Sequence, residues 1–388
     1  PFIMVLGGTG FMLGTGGSAL VAKELGCGHK EKANRIFTMM IGFVIITGLL
    51  LTVLGIAFIR PIARLMGASE AIMEDCVIYG RITIAFTTAF MLQNVFQSFL
   101  VVAERPRVGL LVVVAAGVAN MVLDALFIAV FRWGLAGAAL ATGIGQCIGG
   151  VIPMVYILRE KDLPLHFVPF KFEARPILQA CANGSSEFMS NISTSFVSAL
   201  YNMQLMRMLG EDGVSAYGVL MYVQLIFIGT AIGYSIGSAP IVSYHFGAGN
   251  HDELKNMLKK SLTLMGVTGV ALTALALGLA SPLAKLFVGY DEALYNLTWQ
   301  GFRLYSLAFL FTGLNIFASS LFTALNNGTV SAAISFMRTL VFQIGAVLVL
   351  PALAGVTGLW LATFAAEGCA LAVSLIFTLV NRKKYGYF

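Results

Sequence analysis

Long apolar runs fill the chain, each broken by a short cluster of charged, glycine or proline residues. A helix that crosses a bilayer needs ~20 mostly apolar residues. Eleven segments meet that length, at roughly 1–22, 36–59, 77–101, 108–131, 135–158, 176–207, 214–246, 257–280, 298–323, 330–352 and 356–381. The breaks between them carry the residues that punctuate helices. The pattern predicts an all-α membrane protein with eleven spanning helices.

Composition fits lipid as the solvent. The chain is 58% hydrophobic and 11% charged, against about 25% charged in a soluble domain. Assigning the connections alternately to two sides separates the basic residues. One side holds Lys23, Lys30, Lys32, Arg35, Arg105, Arg107, Arg159, Lys161, Lys171, Arg175, Lys255, Lys259, Lys260, Arg382, Lys383 and Lys384. The other holds only Arg60, Arg64, Arg81, Arg132, Arg207, Lys285 and Arg303, and Arg338 lies within a span. The richer side belongs in the cytoplasm. The positive excess therefore follows membrane topology and carries no nucleic-acid signature. The five cysteines show neither metal spacing nor a paired framework.

The chain repeats itself. "GGSALVAKELGCGHKEK" (16–32) aligns with "GSAPIVSYHFGAGNHDE" (237–253) at a shift of 221, which brings Gly26 onto Gly247 and Gly28 onto Gly249. The same shift pairs Pro61 with Pro282, and Asn94, Phe96 and Ser98 with Asn315, Phe317 and Ser319. It also pairs "GAALAT" (137–142) with "GLWLAT" (358–363), and Gln146 with Glu367. The repeated helices are an even number of spans apart, so the copies share one orientation, the parallel arrangement of some secondary transporters. The helix at 176–207 has no partner in the first copy. The expectation is an intact 6+6 architecture whose first helix precedes Pro1, with lobes at 1–158 and 176–388 and a cytoplasmic linker at 159–175.

These features resemble the multidrug and toxic compound extrusion (MATE) family over the whole chain, as its helices two to twelve. The resemblance rests on "FGAGN" (246–250) with its echo "LGCGH" (25–29), "NMVLD" (120–124), "GLAGAALAT" (134–142) and the repeat. The run "GSSEFMSNISTS" (184–195) is similar to a bacterial multidrug branch. The resemblance implies a bacterial plasma-membrane antiporter, not an enzyme. It would export amphipathic organic cations in exchange for Na⁺ or H⁺ by alternating access, as a monomer among membrane lipids, with no cofactor beyond the coupling ion.

Asp124 is the acid that most needs an explanation. It lies 8 residues before Arg132, roughly 12 Å from that end of its helix. Asn120 is one turn deeper on the same face. Thr142, 7 residues after Leu135 on the next helix, reaches the same depth as Asp124, and Gln146 follows a turn below. Hard cations favour such oxygen ligands, and an acid in this position can instead carry a proton. An intramembrane acid is a functional candidate by default; the plain alternative is an Asp that only glues helices together. The resemblance implies a cation site on Asn120, Asp124 and Thr142, completed by an aspartate on the family's first helix.

A second polar group lies on 176–207. Glu187, Asn191, Ser195, Ser198 and Asn202 recur at spacings of 4, 4, 3 and 4, one helix face. Such a stripe either lines a wet cavity or is buried against other helices. Glu367 and Arg338 sit mid-span on the last two helices as a structural ion pair or a second proton site. Gln93, Asn94 and Gln97 are further candidate cavity walls, partly repeated by Asn315 and Ser319. The glycine-rich "GGTGFMLGTGG" (7–17) lacks the strand and lysine of a nucleotide loop and reads as a close-packing surface. The four histidines have no metal spacing. A lipid-linked saccharide flippase is the nearest alternative, but it would favour several cavity arginines. A membrane-embedded transferase is the more distant one, disfavoured by short outer connections.

Overall fold

A computed structural model describes residues 2–65 and 67–387. The chain forms α1 (Phe2–Gly26), α2 (Lys30–Ala57), a short α3 (Ile59–Leu65), α4 (Met73–Ala85), α5 (Thr87–Val102) and α6 (Pro106–Asp124). The winding of α6 widens into a π-helical stretch at Ala125–Val130, followed by α7 (Gly134–Arg159), α8 (Ala174–Gly247) and α9 (His251–Val288). Then come α10 (Glu292–Tyr305), a 3₁₀ turn Ser306–Ala308, α11 (Phe309–Ala324), α12 (Gly328–Phe336), a second π-helical stretch Met337–Phe342 and α13 (Gln343–Tyr385). Gly210 breaks α8 at φ 66°, and Ala354–Gly355 break α13, so each is two rods. The pair α4–α5 is one apolar span bent by 49°. Among the described residues eleven rods result, one for each apolar segment.

Two compact units meet in sequence between Gly184 and Ser185, inside α8. The first is built on a core of α1, α2, α5 and α7 in which Phe37, Met40, Phe96 and Phe99 are wholly buried. Phe37 packs edge-on against Phe99 at 5.1 Å and also touches Phe167. The glycine-rich run is helix α1, not a loop. Gly10 and Gly14 admit the backbone of α5, and a methyl on Gly16 would overlap the Ala180 carbonyl of α8. Gly184 meets the Met12 carbonyl in the same way. The connection at 160–173 is non-helical but tightly held. The His166 N–H donates to Asn34 Oδ1 at 2.8 Å and the Val168 N–H to Thr38 Oγ1 at 3.1 Å. Leu165 is fully buried.

The second unit has two apolar centres. One surrounds Tyr201, Tyr217, Phe302, Tyr305 and Trp360; the other surrounds Phe317, Phe322, Tyr385 and Tyr387. The tail folds back, with the Tyr387 hydroxyl donating to the Thr378 carbonyl at 2.9 Å.

The duplication is visible in the hydrogen bonds that close the helices. After α1, the Gly28 N–H meets Leu25 O and the His29 N–H meets Glu24 O; after α8, Gly249 meets Phe246 O and Asn250 meets His245 O. Both turns place a glycine at positive φ, Gly28 and Gly249. Their spacing is the expected 221. A second pair of turns corrects the gapless alignment. Glu104 and Asn326 are the matching left-handed residues, with Arg105 N–H to Leu100 O and Asn327 N–H to Phe322 O. Their spacing is 222. Gly134 and Gly355, both at positive φ, return to 221. The second copy thus has one residue more before the second turn and one fewer after it. Helices absorb such steps by changing their winding, and the helices concerned depart from α-helical winding at Ser306–Ala308, Ala125–Val130 and Met337–Phe342.

The crossing of α1 and α8 yields a stability test. Gly184→Leu must displace backbone and should cost about 3 kcal/mol or more. Gly117→Leu, where a Cβ meets open space, should leave the thermal unfolding midpoint of the purified protein nearly unchanged.

Candidate functional site

In the first unit Asp124 is the last α-helical residue before the winding widens. One of its oxygens, Oδ1, is buried without a hydrogen-bond partner. On the same face Asn120 Nδ2 reaches Thr142 Oγ1 on α7 at 3.5 Å. Helices α6 and α7 come together here because Gly145 has no side chain, and a Cβ there would press on the Ala116 carbonyl and Asn120. The sequence puts Thr142 level with Asp124; its contact is instead with Asn120, the residue one turn deeper. Gln146, one turn along, also has a buried Oε1 without a partner. A carboxylate oxygen, a hydroxyl and amide oxygens with spare acceptor capacity suit a hard monovalent cation or a proton.

The α5 residues do not form one wall. Gln93 lies against Gly149 of α7 and Gln97 is half-buried. Asn94 is buried and turns to α1, donating to the Gly7 carbonyl at 3.4 Å. Its expected place on a cavity wall is corrected: it ties two helices together. The offset of 222 explains the error. Counted from the shared turns, Asn315 stands where Gln93 stands, not where Asn94 does.

The second unit concentrates its polarity around Glu367. Arg338 Nε donates to both carboxylate oxygens, at 3.0 and 3.1 Å, and Asn315 Nδ2 donates to Oε2 at 2.7 Å. Asn315 is fixed in turn by the Ser374 hydroxyl, which donates to its Oδ1 at 3.1 Å. The pair is deeply buried, with side-chain exposures of 12% for Arg338 and 4% for Glu367. Beside it lies a cavity of ≈ 110 Å³. Its walls include three tyrosines that sequence reading missed. Tyr201 stacks on Tyr217 at 4.8 Å, and its hydroxyl donates to the Leu359 carbonyl at 2.8 Å. The Tyr305 hydroxyl donates to Gln224 Oε1 at 2.6 Å. An aromatic residue in an apolar helix reads as core, so only their hydroxyls mark the site. Thr363, at 3.1 Å from the Tyr201 hydroxyl, had a signal: it repeats Thr142.

The stripe on α8 enters this cavity only in part. Ser198 lines it, as does Thr194. Glu187 and Asn191 are half-buried, and Asn191 Nδ2 closes on the Glu187 carbonyl at 2.8 Å. Asn202 is exposed. Glu187 lies within electrostatic reach of Arg338.

The MatE family profile matches residues 1–126 and 188–348. The chain belongs to the MatE family. It is 22% identical over 387 residues to the multidrug export protein MepA of Staphylococcus aureus, spanning 98% of this chain and 84% of that protein. MepA of Staphylococcus saprophyticus is 23% identical with the same coverage. Among solved structures, the outward-facing conformation of a multidrug resistance MATE family transporter of the MOP superfamily superposes with a TM-score of 0.93, at 21% identity, covering 100% of this chain and 87% of that one. The MatE assignment places the chain among multi-pass membrane transporters.

The two asparagines separate the roles assigned above. Asn315→Ala removes a charge-assisted hydrogen bond and should cost about 1.5–3 kcal/mol. Asn94→Ala removes one long bond to a carbonyl and should cost roughly 0.6 kcal/mol, the mean found between membrane helices. Equilibrium unfolding of the two variants in detergent measures the difference.

Proposed function

We propose that this MatE chain is a secondary antiporter that exports amphipathic organic cations from a bacterial cell in exchange for Na⁺ or H⁺, by alternating access. The observation that carries this reading is the buried, unpartnered oxygen of Asp124 beside the Asn120–Thr142 contact. An acceptor left without a donor in an apolar helix is costly, and binding a cation or a proton removes the cost. Asp124, Asn120 and Thr142 would hold the ion; Na⁺, where it is the ion, supplies the positive charge that lets the carboxylate stay buried. Coupling requires that ion and substrate favour different states. Glu187, the half-buried acid on α8 whose carboxylate forms no ion pair among the described residues, is the group proposed to attract the cationic substrate. The names of the MepA relatives support the multidrug part of this reading.

Gradients of Na⁺ and of pH, imposed separately on vesicles, test it. Asp124→Asn keeps the volume and removes the charge, so it should abolish gradient-driven efflux of a dye while expression and substrate binding persist. Full ion-driven efflux in that variant would place coupling elsewhere. Glu187→Gln should slow export of cationic dyes several-fold more than export of neutral ones, as parallel efflux rates reveal.

A further inference from the structure

The two copies of the repeat treat the same three places in opposite ways. Counted from the matching turns at Glu104 and Asn326, Arg338 corresponds to Ala116 and Asn315 to Gln93; counted from Gly134 and Gly355, Glu367 corresponds to Gln146. The first unit is neutral at all three. Ala116 backs directly onto α7 there, through its carbonyl at Gly145, and Gln146 Oε1 has no partner. The second unit carries both charges, and they are paired through Nε at 3.0 and 3.1 Å. Acid and guanidinium are present together or absent together.

A buried ion pair is a poor way to gain stability, since desolvation offsets most of the attraction. Its geometry shows another use. Glu367 has the makings of a cation site: it is 3% exposed, oriented by Asn315 and Ser374, and next to a polar cavity. Yet both oxygens already face a cation belonging to the same chain. Only Nε is used; among the described residues Nη1 and Nη2 of Arg338 make no hydrogen bond, and Arg338 lines the cavity.

We propose that Arg338 is a tethered counter-cation that permanently fills the cation site built on Glu367 and Asn315. It thereby keeps Glu367 out of the ion-coupling step, so that the first unit alone takes up the exchanged ion. This specificity role rests on the antiport reading above. A guanidinium held by its own helix cannot leave, so Glu367 cannot be emptied and refilled in a transport cycle. The neutral first unit needs no such occupant.

Removing the tether should open the site. Purified Arg338→Ala should unfold at a lower temperature than the parent protein. Methylguanidinium chloride should restore part of the loss saturably, where choline chloride at equal ionic strength does not. The parent should show no such response. Glu367→Gln should be the least stable variant, because it strands the arginine. Arg338→Ala/Glu367→Gln, which copies the neutral arrangement of the first unit, should recover most of the stability and lose the response. A folded Arg338→Ala protein indifferent to methylguanidinium would overturn the proposal. So would equal losses in the single and double variants. Where Arg338→Ala cannot be purified, the double variant decides: its ratio of ions exchanged per substrate should equal the parent's, and a ratio lower by one ion would show that Glu367 carries a coupling ion. If the parent itself shows no ion-driven export, the antiport reading fails, while the methylguanidinium experiment still reports on Arg338.

Discussion

A polar group surrounded by hydrocarbon must find its partner within the protein, because lipid offers none. The architecture follows from that rule. Backbone groups are satisfied inside helices, and where rods end, the same hydrogen-bonded turns close them in both copies. The rule also sorts the side chains. Both carboxylate oxygens of Glu367 are met by Arg338 and Asn315, and Asn315 is held in turn by Ser374. Among the buried acceptors left open in the described residues, Asp124 Oδ1 belongs to an acid and has Gln146 Oε1 open on the neighbouring helix; that is where a visiting charge has something to do.

Duplication lets one frame carry both solutions. The turns that set the helices are shared, so the two units differ mainly in what is mounted on them. The connection at 160–173 and the tail beyond Tyr385 illustrate this. At a spacing of 221, His166 matches Tyr387, and each follows a basic helix end and packs back onto its own unit. A stretch that reads as a solvated linker is instead fastened by main-chain hydrogen bonds to Asn34 and Thr38. Its charges and prolines were legible; its partners were not, because they lie far away in sequence.

Much of the fold could be read directly. The eleven apolar segments follow from length, and the close packing of α1 from its small residues; helical rise brought Thr142 to the neighbourhood of Asp124 and Asn120 but missed its partner by one turn. What escaped depends on winding and on hydroxyl orientation. The identity of Asn94 with Asn315 invited a false equivalence, since letters align without reporting where a helix gains or loses a residue. The two side chains point to different neighbours, Gly7 and Glu367. Tyr201, Tyr217 and Tyr305 have the hydrophobic bulk of core residues, and only their hydrogen bonds reveal a polar chamber. The partnership of Arg338 with Glu367 was legible as a possibility from equal depth, but the fixing of Glu367 by Asn315 and Ser374 was not.

The wide turns that follow Asp124 and begin at Met337, beside Arg338, have a mechanical meaning. A π-helical stretch is usually a single extra residue accommodated in an α-helix, and such defects concentrate at functional sites. An extra residue can pass along a rod one peptide at a time, each step exchanging one backbone hydrogen bond for its neighbour. Side chains beyond the defect keep their heading while the one it passes swings about the axis. Asp124 and Arg338 both stand at such a place. Asp124, with an oxygen unpartnered, is free to be re-aimed by a local slip of its own helix, with the rods on either side left where they are; Arg338, tied through Nε to both oxygens of Glu367, is held against such a slip.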